Sequence, residues 1–248
     1  MAKRAAKSTK SPRTKKAAGK AVERMPFGRR VRRIFWRSVL AVAVFMVAVV
    51  LLFRVINPPT TYYMWSESRR LGGVDQEWVP LEDIAPVMAR AAVAAEDANF
   101  CMHWGFDVAA IRLAIAQGSN RGASTIDQQT VKNVFLWHGR TYIRKAFEAG
   151  ITPIVEIIWD KRRILEVYLN VAEFDEGVFG VEAAARHYFG VSAGALSARQ
   201  ASQLAAVLPS PKTRSASRPT AFLGKRAAQI RSGAATILAD GRANCFQS

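Results

Sequence analysis

Glu96 and Asp97 set two carboxylates side by side at the end of an apolar, alanine-rich run. If that run is a helix, the pair sits at its C-terminal end, where the macrodipole disfavours negative charge. Desolvation and the dipole would both raise a carboxyl pKa, which suits a general base working near neutrality. An exposed helix end contacting a neighbouring base accounts for the same pair. A second stretch, Gly122-Ala-Ser124-Thr125-Ile-Asp127-Gln128-Gln129-Thr130-Val-Lys132-Asn133, is dense in hydroxyls and amides and includes a lysine. That is the inventory for holding a sugar or a phosphate, and equally that of a capped polar helix start. In the third, Arg140-Thr-Tyr-Ile-Arg144-Lys145-Ala-Phe-Glu148, Arg144 and Glu148 stand four residues apart. They form either a surface ion pair or, with Lys132, a cationic clamp for a diphosphate.

Helices must carry these groups. From Leu81 the pattern is helical: Asp83 reads as an N-cap, Pro86 fits the first turn, and Val87, Ala91 and Ala94 keep helical spacing up to Glu96. Val108, Ile111 and Ile115 predict a second helix before the Gly118–Gly122 loop, and 124–136 a third. The longest stripe runs through Ile154, Ile158, Lys161, Leu165, Tyr168 and Ala172, ending near Glu173. Ser197-Ala-Arg-Gln200 has the form of a capping box, Pro209 stops the helix after it, and a last helix fits 223–239, closed by Gly241. No βαβ alternation and no repeat is visible, so the expectation is one mainly α domain at 81–248, with 57–80 as a Pro- and Tyr-rich connector.

Upstream of the connector, the 16 residues Ser38–Phe53 carry no charge. With the apolar flanks the segment reaches from Ile34 to Ile56, 23 residues, enough to span a bilayer with modest tilt while Arg37 and Arg54 snorkel. A basic region this long, with no small-x-small site at Val50–Ile56, argues for an uncleaved anchor at 38–56 rather than a signal peptide. The net charge of +17 invites a nucleic-acid reading, but residues 1–37 hold 14 of the 36 Lys and Arg and one of the 19 acids. The tail from Lys3 to Lys20 has neither aromatic stacking residues nor a groove-reading helical pattern, so no nucleic-acid partner is expected. By the positive-inside rule the tail (1–37) is cytoplasmic and everything after Asn57 lies across the membrane.

Taken together, these stretches resemble the peptidoglycan glycosyltransferases, the lipid II polymerases, and most closely their monofunctional biosynthetic transglycosylase branch. The family's five motifs occur in order: Glu96-Asp97-x-x-Phe100-x-x-His103-x-Gly105, Gly122-Ala-Ser-Thr-Ile-Asp-Gln-Gln129, Arg144-Lys-x-x-Glu148, Lys161-Arg-Arg-Ile-Leu-Glu166-Val-Tyr-Leu-Asn170 and Arg186-His-Tyr-Phe-Gly190. The resemblance covers 57–211 and the anchor; only 37 residues follow Pro211, which points to the branch without a transpeptidase domain.

The resemblance implies a mainly α, lysozyme-like domain behind a single N-terminal transmembrane helix, in the bacterial inner membrane with the catalytic domain periplasmic. It implies that Glu96 deprotonates the acceptor 4-hydroxyl of lipid II. That oxygen then attacks the anomeric carbon of the growing strand with inversion, giving a β-1,4 link and releasing undecaprenyl diphosphate. Lys132, Arg140, Arg144 and Lys145 would stabilise the departing diphosphate, and Glu148 would act near it or hold the cations. Asp97, Phe100, Ser124, Thr125, Gln128, Gln129 and Asn133 would line the substrate cleft, with Glu166, Tyr168 and Asn170 as scaffold behind it. A divalent cation (Mg²⁺ or Mn²⁺) assists in the family, although this sequence has no metal signature and His103, His138 and His187 are dispersed. Expected partners are lipid II, the growing glycan strand, the membrane and proteins of wall synthesis or division. Phe135-Leu136-Trp137 would either dip into the bilayer surface or pack in the core. Cys101 would be a packed small residue or bonded to Cys245.

The chain departs from the family pattern at Asp127 (usually Thr or Ser, placing an acid beside the cleft), at Val191 (usually Lys) and at Gly150 and Pro153, which would interrupt a helix after Glu148. Two other classes stay in play. One is a lytic enzyme, in which the glutamate serves as an acid. The other is a weakened binding subunit of a wall-synthesis complex. The cationic third motif and the anchor favour the polymerase.

Overall fold

The computed structural model describes residues 27–116, 124–139 and 141–247. The tail up to Pro26, the Gly118–Gly122 loop and Arg140 lie outside them. The chain divides into two compact units, 1–45 and 46–248. In the first, the described residues are the leading part of helix α1 (Phe27–Val55), with exposed apolar side chains such as Leu40, Val42 and Phe45. Among the described residues, α1 is the one helix long and apolar enough to cross a membrane, by length and composition.

The second unit is mainly helical. One layer is α3 (Pro86–Glu96), α9 (Ala198–Val207) and α10 (Ala221–Ala239), packed on one another. Alanines permit the close approach: Ala91, Ala92, Ala205 and Ala206 are buried, and a Cβ on Gly233 would lie 3.3 Å from Ala94. The other layer is α5 (Ile126–Phe135), α6 (Tyr142–Ile158) and α7 (Lys161–Val171), with α5 against both of the others. A small sheet of order β1-β3-β2 (Asp75–Gln76, Val178–Phe179, Glu173–Asp175) pairs β1 parallel and β2 antiparallel to β3 and leads into α8 (Val181–Phe189).

The capping box at Ser197 and Gln200 forms, as does a second one between Thr125 and Gln128, the capped helix start that the second stretch allowed. Several expectations change. Asp83 does not cap α3: it ends a 3-10 turn, Leu81–Asp83, and Ala85 is the cap residue, with Pro86 in the first turn. The stripe from Ile154 to Ala172 is two helices: Trp159 leaves the helix in extended conformation and Asp160 caps α7 by accepting from Arg163 N. The apolar period continues across the break because both helices face the same core. Gly150 and Pro153 do not interrupt α6, which is continuous over 17 residues; Thr152 Oγ1 donates to Glu148 O (2.7 Å) in that turn. The stretch 57–80 is folded rather than a simple connector. It contains α2 (Tyr62–Leu71) and β1, and Met64 and Glu67 are buried.

Candidate active site

Glu96 closes α3, and its carboxylate accepts from Gln129 Nε2 on α5 (2.9 Å). Burial raises its pKa; the Gln129 bond and the fields of Arg226, Lys132 and Arg214 hold it back. Gln129 and Lys132 stand three residues apart on α5 and therefore share a face. Lys132 is itself half-buried and its pKa is lowered by burial, with Glu148 and Glu96 opposing that effect and Arg144 and Lys145 adding to it. The lysine thus lies within electrostatic reach of both glutamates.

Glu148 on α6 is 2% exposed, and its carboxylate accepts from Arg144 Nη1 (2.6 Å) and from Lys145 Nζ. Arg144 Nε also donates to Gly139 O (2.7 Å), and Lys145 Nζ to Ser124 Oγ (3.2 Å). The third motif is therefore a locked cationic element, with the surface-pair alternative excluded by the burial of Glu148. Arg140 lies outside the described residues.

A cavity of about 400 Å³ opens beside these groups, with Gln129, Lys132 and Asn133 on one wall and Tyr63, His138, Tyr168, Glu173 and Lys212 among the others. The sequence reading missed Tyr63, Glu173 and Lys212. They come from α2, β2 and the turn Pro211–Thr213, and only the tertiary fold brings them together.

Four residues expected in the cleft are instead buried against protein partners. Asp97 accepts from Ile126 N (3.0 Å) and pairs with His103 Nε2 (2.9 Å). Phe100 is fully buried beneath Lys161 Nζ, 4.3 Å from its ring centroid. Thr125 Oγ1 donates to Gly105 O (2.7 Å), and Gln128 completes the capping box. Asp127 is also no cleft residue: it is fully buried and pairs with Lys161 Nζ (3.1 Å), which also holds Glu156 (2.5 Å). Burial drives its carboxyl up to about 7, with Glu156 adding and Lys161 opposing. As expected, Glu166 and Asn170 serve as scaffold: Glu166 pairs with Arg163, and Asn170 makes two bonds to the Val79 backbone (2.8 and 2.9 Å). Val191 packs against the core. Phe135 and Leu136 lie in the core as well, the former between Phe53 and Trp159, while Trp137 is partly exposed. Cys101 is bonded to Cys245, 144 residues away, tying the loop after Glu96 to α11 (Asn244–Gln247).

Asp97, His103 and Asp127 form one cluster close enough to share an ion. It does not fit magnesium or manganese, which ask for several oxygens. Asp97 is engaged by His103 and Ile126, Lys161 already occupies one oxygen of Asp127, and the atoms left over are one carboxylate oxygen and His103 Nδ1.

Fold and site together define a helical, lysozyme-like enzyme that transfers sugars, with a buried carboxylate and a cationic wall beside one cavity. Residues 65–235 match the family model for transglycosylases. Over 246 residues, 99% of either chain, the sequence is 55% identical to a biosynthetic peptidoglycan transglycosylase of Jannaschia sp. (strain CCS1). It is 49% identical over 225 residues to that of Pseudomonas fluorescens (strain SBW25), covering 85% of this chain and 93% of the relative. With that of Caulobacter vibrioides identity is 43% over 226 residues, covering 88% and 99%. The chain belongs to the transglycosylase family, in its monofunctional branch, and is a glycosyltransferase of peptidoglycan biosynthesis.

Proposed function

We propose that the enzyme polymerises lipid II into linear β-1,4 glycan strands, with inversion at the donor carbon and release of undecaprenyl diphosphate. The observation that carries this reading is that Lys132 shares a face of α5 with Gln129, the residue that holds the Glu96 carboxylate. Glu96 is a buried carboxylate whose hydrogen-bond partner is a neutral amide, so its proton affinity is high enough to take the acceptor hydroxyl's proton. Lys132, with Arg144 and Lys145 behind it, meets the negative charge that grows on the departing diphosphate. Glu148 holds those two cations in place. Gln129 and Asn133 face the cavity and suit hydroxyls and amides of the sugar. No step runs through a divalent ion, whose protein ligands the Asp97 cluster does not supply.

Helix α1 anchors the enzyme in the cytoplasmic membrane, N-terminus inside, where its lipid-linked substrate resides. Exposed apolar residues support contact with the bilayer surface: α4 (Val108–Ala116) buries none of its residues, and Tyr142, Ile143 and Phe147 of α6 are exposed. Cationic side chains around Glu148 favour polymerisation over lysis, because cleaving finished polymer releases no diphosphate.

Incubating the purified enzyme with labelled lipid II, beside a Glu96→Gln variant, tests the reading. Polymer from the wild type and none from the variant is expected. Shortening of preformed glycan would support a lytic enzyme, and binding of lipid II without turnover a binding subunit.

A further inference from the structure

His138 follows α5 and lines the same cavity as Lys132 and Lys212. Its ring lies flat on that of Tyr63, with centroids 3.5 Å apart and planes 21° from parallel. Tyr63 is itself fixed: its hydroxyl donates to Glu173 Oε2 (2.6 Å), Phe179 meets it edge-on, and Lys212 Nζ sits 5.4 Å from its ring. The stack thereby fixes the plane of the imidazole. His103 and His187 are each paired with an aspartate, whereas among the described residues no acid pairs with His138.

The charges around this ring come from four elements. Lys132 on α5, Arg144 on α6 and Lys212 in the turn Pro211–Thr213 repel a proton there, and Glu67 on α2 attracts one. The attraction is spent first on Arg70, which donates to Glu67 at 2.5 and 3.1 Å, and then on Lys212, which Glu67 holds at 2.9 Å and Glu173 approaches at 3.7 Å. Tyr63 keeps its proton, because burial and Glu173 raise its pKa. Partial burial against the stack, on a side chain that still reaches solvent, and the surrounding cations push the imidazole down to about 4, so the free enzyme holds it neutral.

We infer that His138 is a proton-accepting member of the anion site, becoming an imidazolium donor when a diphosphate enters beside Lys132. The inference rests on the reading of Lys132 and Arg144 as the diphosphate clamp. An anion reverses the sign of the field at the ring, and an opposite charge within about 4–6 Å moves a histidine by one to three pH units. The proton comes from solvent, at most one for each diphosphate bound, and no covalent bond to the ligand forms or breaks. When the diphosphate leaves, the proton leaves with the field that held it, which lets the site bind the departing group firmly and still release it. A permanently charged lysine in that position would have no such reversal.

The probe is inorganic pyrophosphate, added to the detergent-solubilised full chain. Calorimetry at pH 6 in two buffers of different ionisation enthalpy gives the protons taken up per ligand. Wild type and a His138→Phe variant, which keeps an aromatic ring on Tyr63 and lacks the nitrogens, are compared so that the ligand's own titration cancels. Wild type should take up about half a proton more at pH 6, and its His138 ring signal in NMR should titrate near 4 without ligand and about two pH units higher with it. Equal proton uptake, with pyrophosphate bound in a Lys132-dependent manner, would overturn the role of His138 and leave the clamp standing. No Lys132-dependent binding to the wild type would overturn both.

Discussion

A half-buried glutamate, Glu96, and a buried one, Glu148, lie on either side of Lys132 in electrostatic terms, and their surroundings are opposite. Glu96 meets an uncharged amide and keeps a raised pKa. Glu148 meets a guanidinium and an ammonium. Burial, partial or full, is common to both, so burial does not decide function; the donors do. A carboxylate facing a neutral donor retains appetite for a proton, whereas one saturated by cations serves to hold those cations. The contrast is what supports the proposed base and clamp, without reference to position in the sequence.

The largest effect expected is on turnover at the first glutamate. Glu96→Gln should lower glycan polymerisation by about 10²- to 10⁴-fold, the range for removing a general base. Its melting temperature should stay level or rise, since the variant relieves a buried charge that has only an amide partner. Glycan synthesis at near wild-type rate by the variant would dissolve the comparison.

Next comes the lysine between them. Lys132→Ala should cost about 100-fold, or about 2.7 kcal/mol of transition-state stabilisation. Because the Lys132 field lowers the Glu96 pKa, the variant should also move the acid limb. In the wild type kcat/KM rises with pH as Glu96 ionises; in the variant that rise should come at higher pH. An unmoved limb would show that Lys132 does not act on Glu96.

Glu148→Gln separates the two carboxylates from the other side. It leaves Arg144 and Lys145 without their common counter-charge, so both rate and stability should fall: activity by about tenfold or more, and stability by about 1–3 kcal/mol, read as a drop of several degrees. A stable variant without activity would instead place Glu148 in the chemistry.

The sequence made one half of this comparison easy to see and concealed the other. Glu96, Gln129, Lys132 and the Arg144–Glu148 spacing are local features, and helical periodicity alone puts Gln129 and Lys132 on one face. Capping at Ser197 and Gln200 was equally legible, because the whole device lies within four residues. Tyr63, Glu173 and Lys212 were not, since nothing local marks residues that meet only in the folded chain. The inward turn of Asp97, Phe100, Thr125 and Gln128 was hidden for a related reason: polar residues beside a site resemble those in it until their partners are known. The break at Trp159 escaped because an apolar stripe records which side faces the core and not where the helix stops.

Asp127 carries the smallest and most selective test, since it concerns a carboxylate that belongs to neither glutamate's category. It is buried, and Lys161 is shared between it and Glu156. Its carboxyl is raised from 3.8 to about 7, so over that window the folded chain holds a proton that the unfolded chain lacks. Stability contributed by that proton is present at low pH and is lost as pH rises toward 7. Asp127→Asn keeps the shape, removes the titration and leaves Lys161 paired with Glu156. The variant should therefore lose less stability than the wild type between pH 5 and pH 8, by about 2–3 kcal/mol, several degrees in a melting series. Parallel melting curves across that range would mean that Lys161 keeps Asp127 ionised in the fold. A buried carboxylate facing one shared cation would then behave like Glu148 rather than like Glu96, and the boundary between the two kinds would have to be drawn at a single cation.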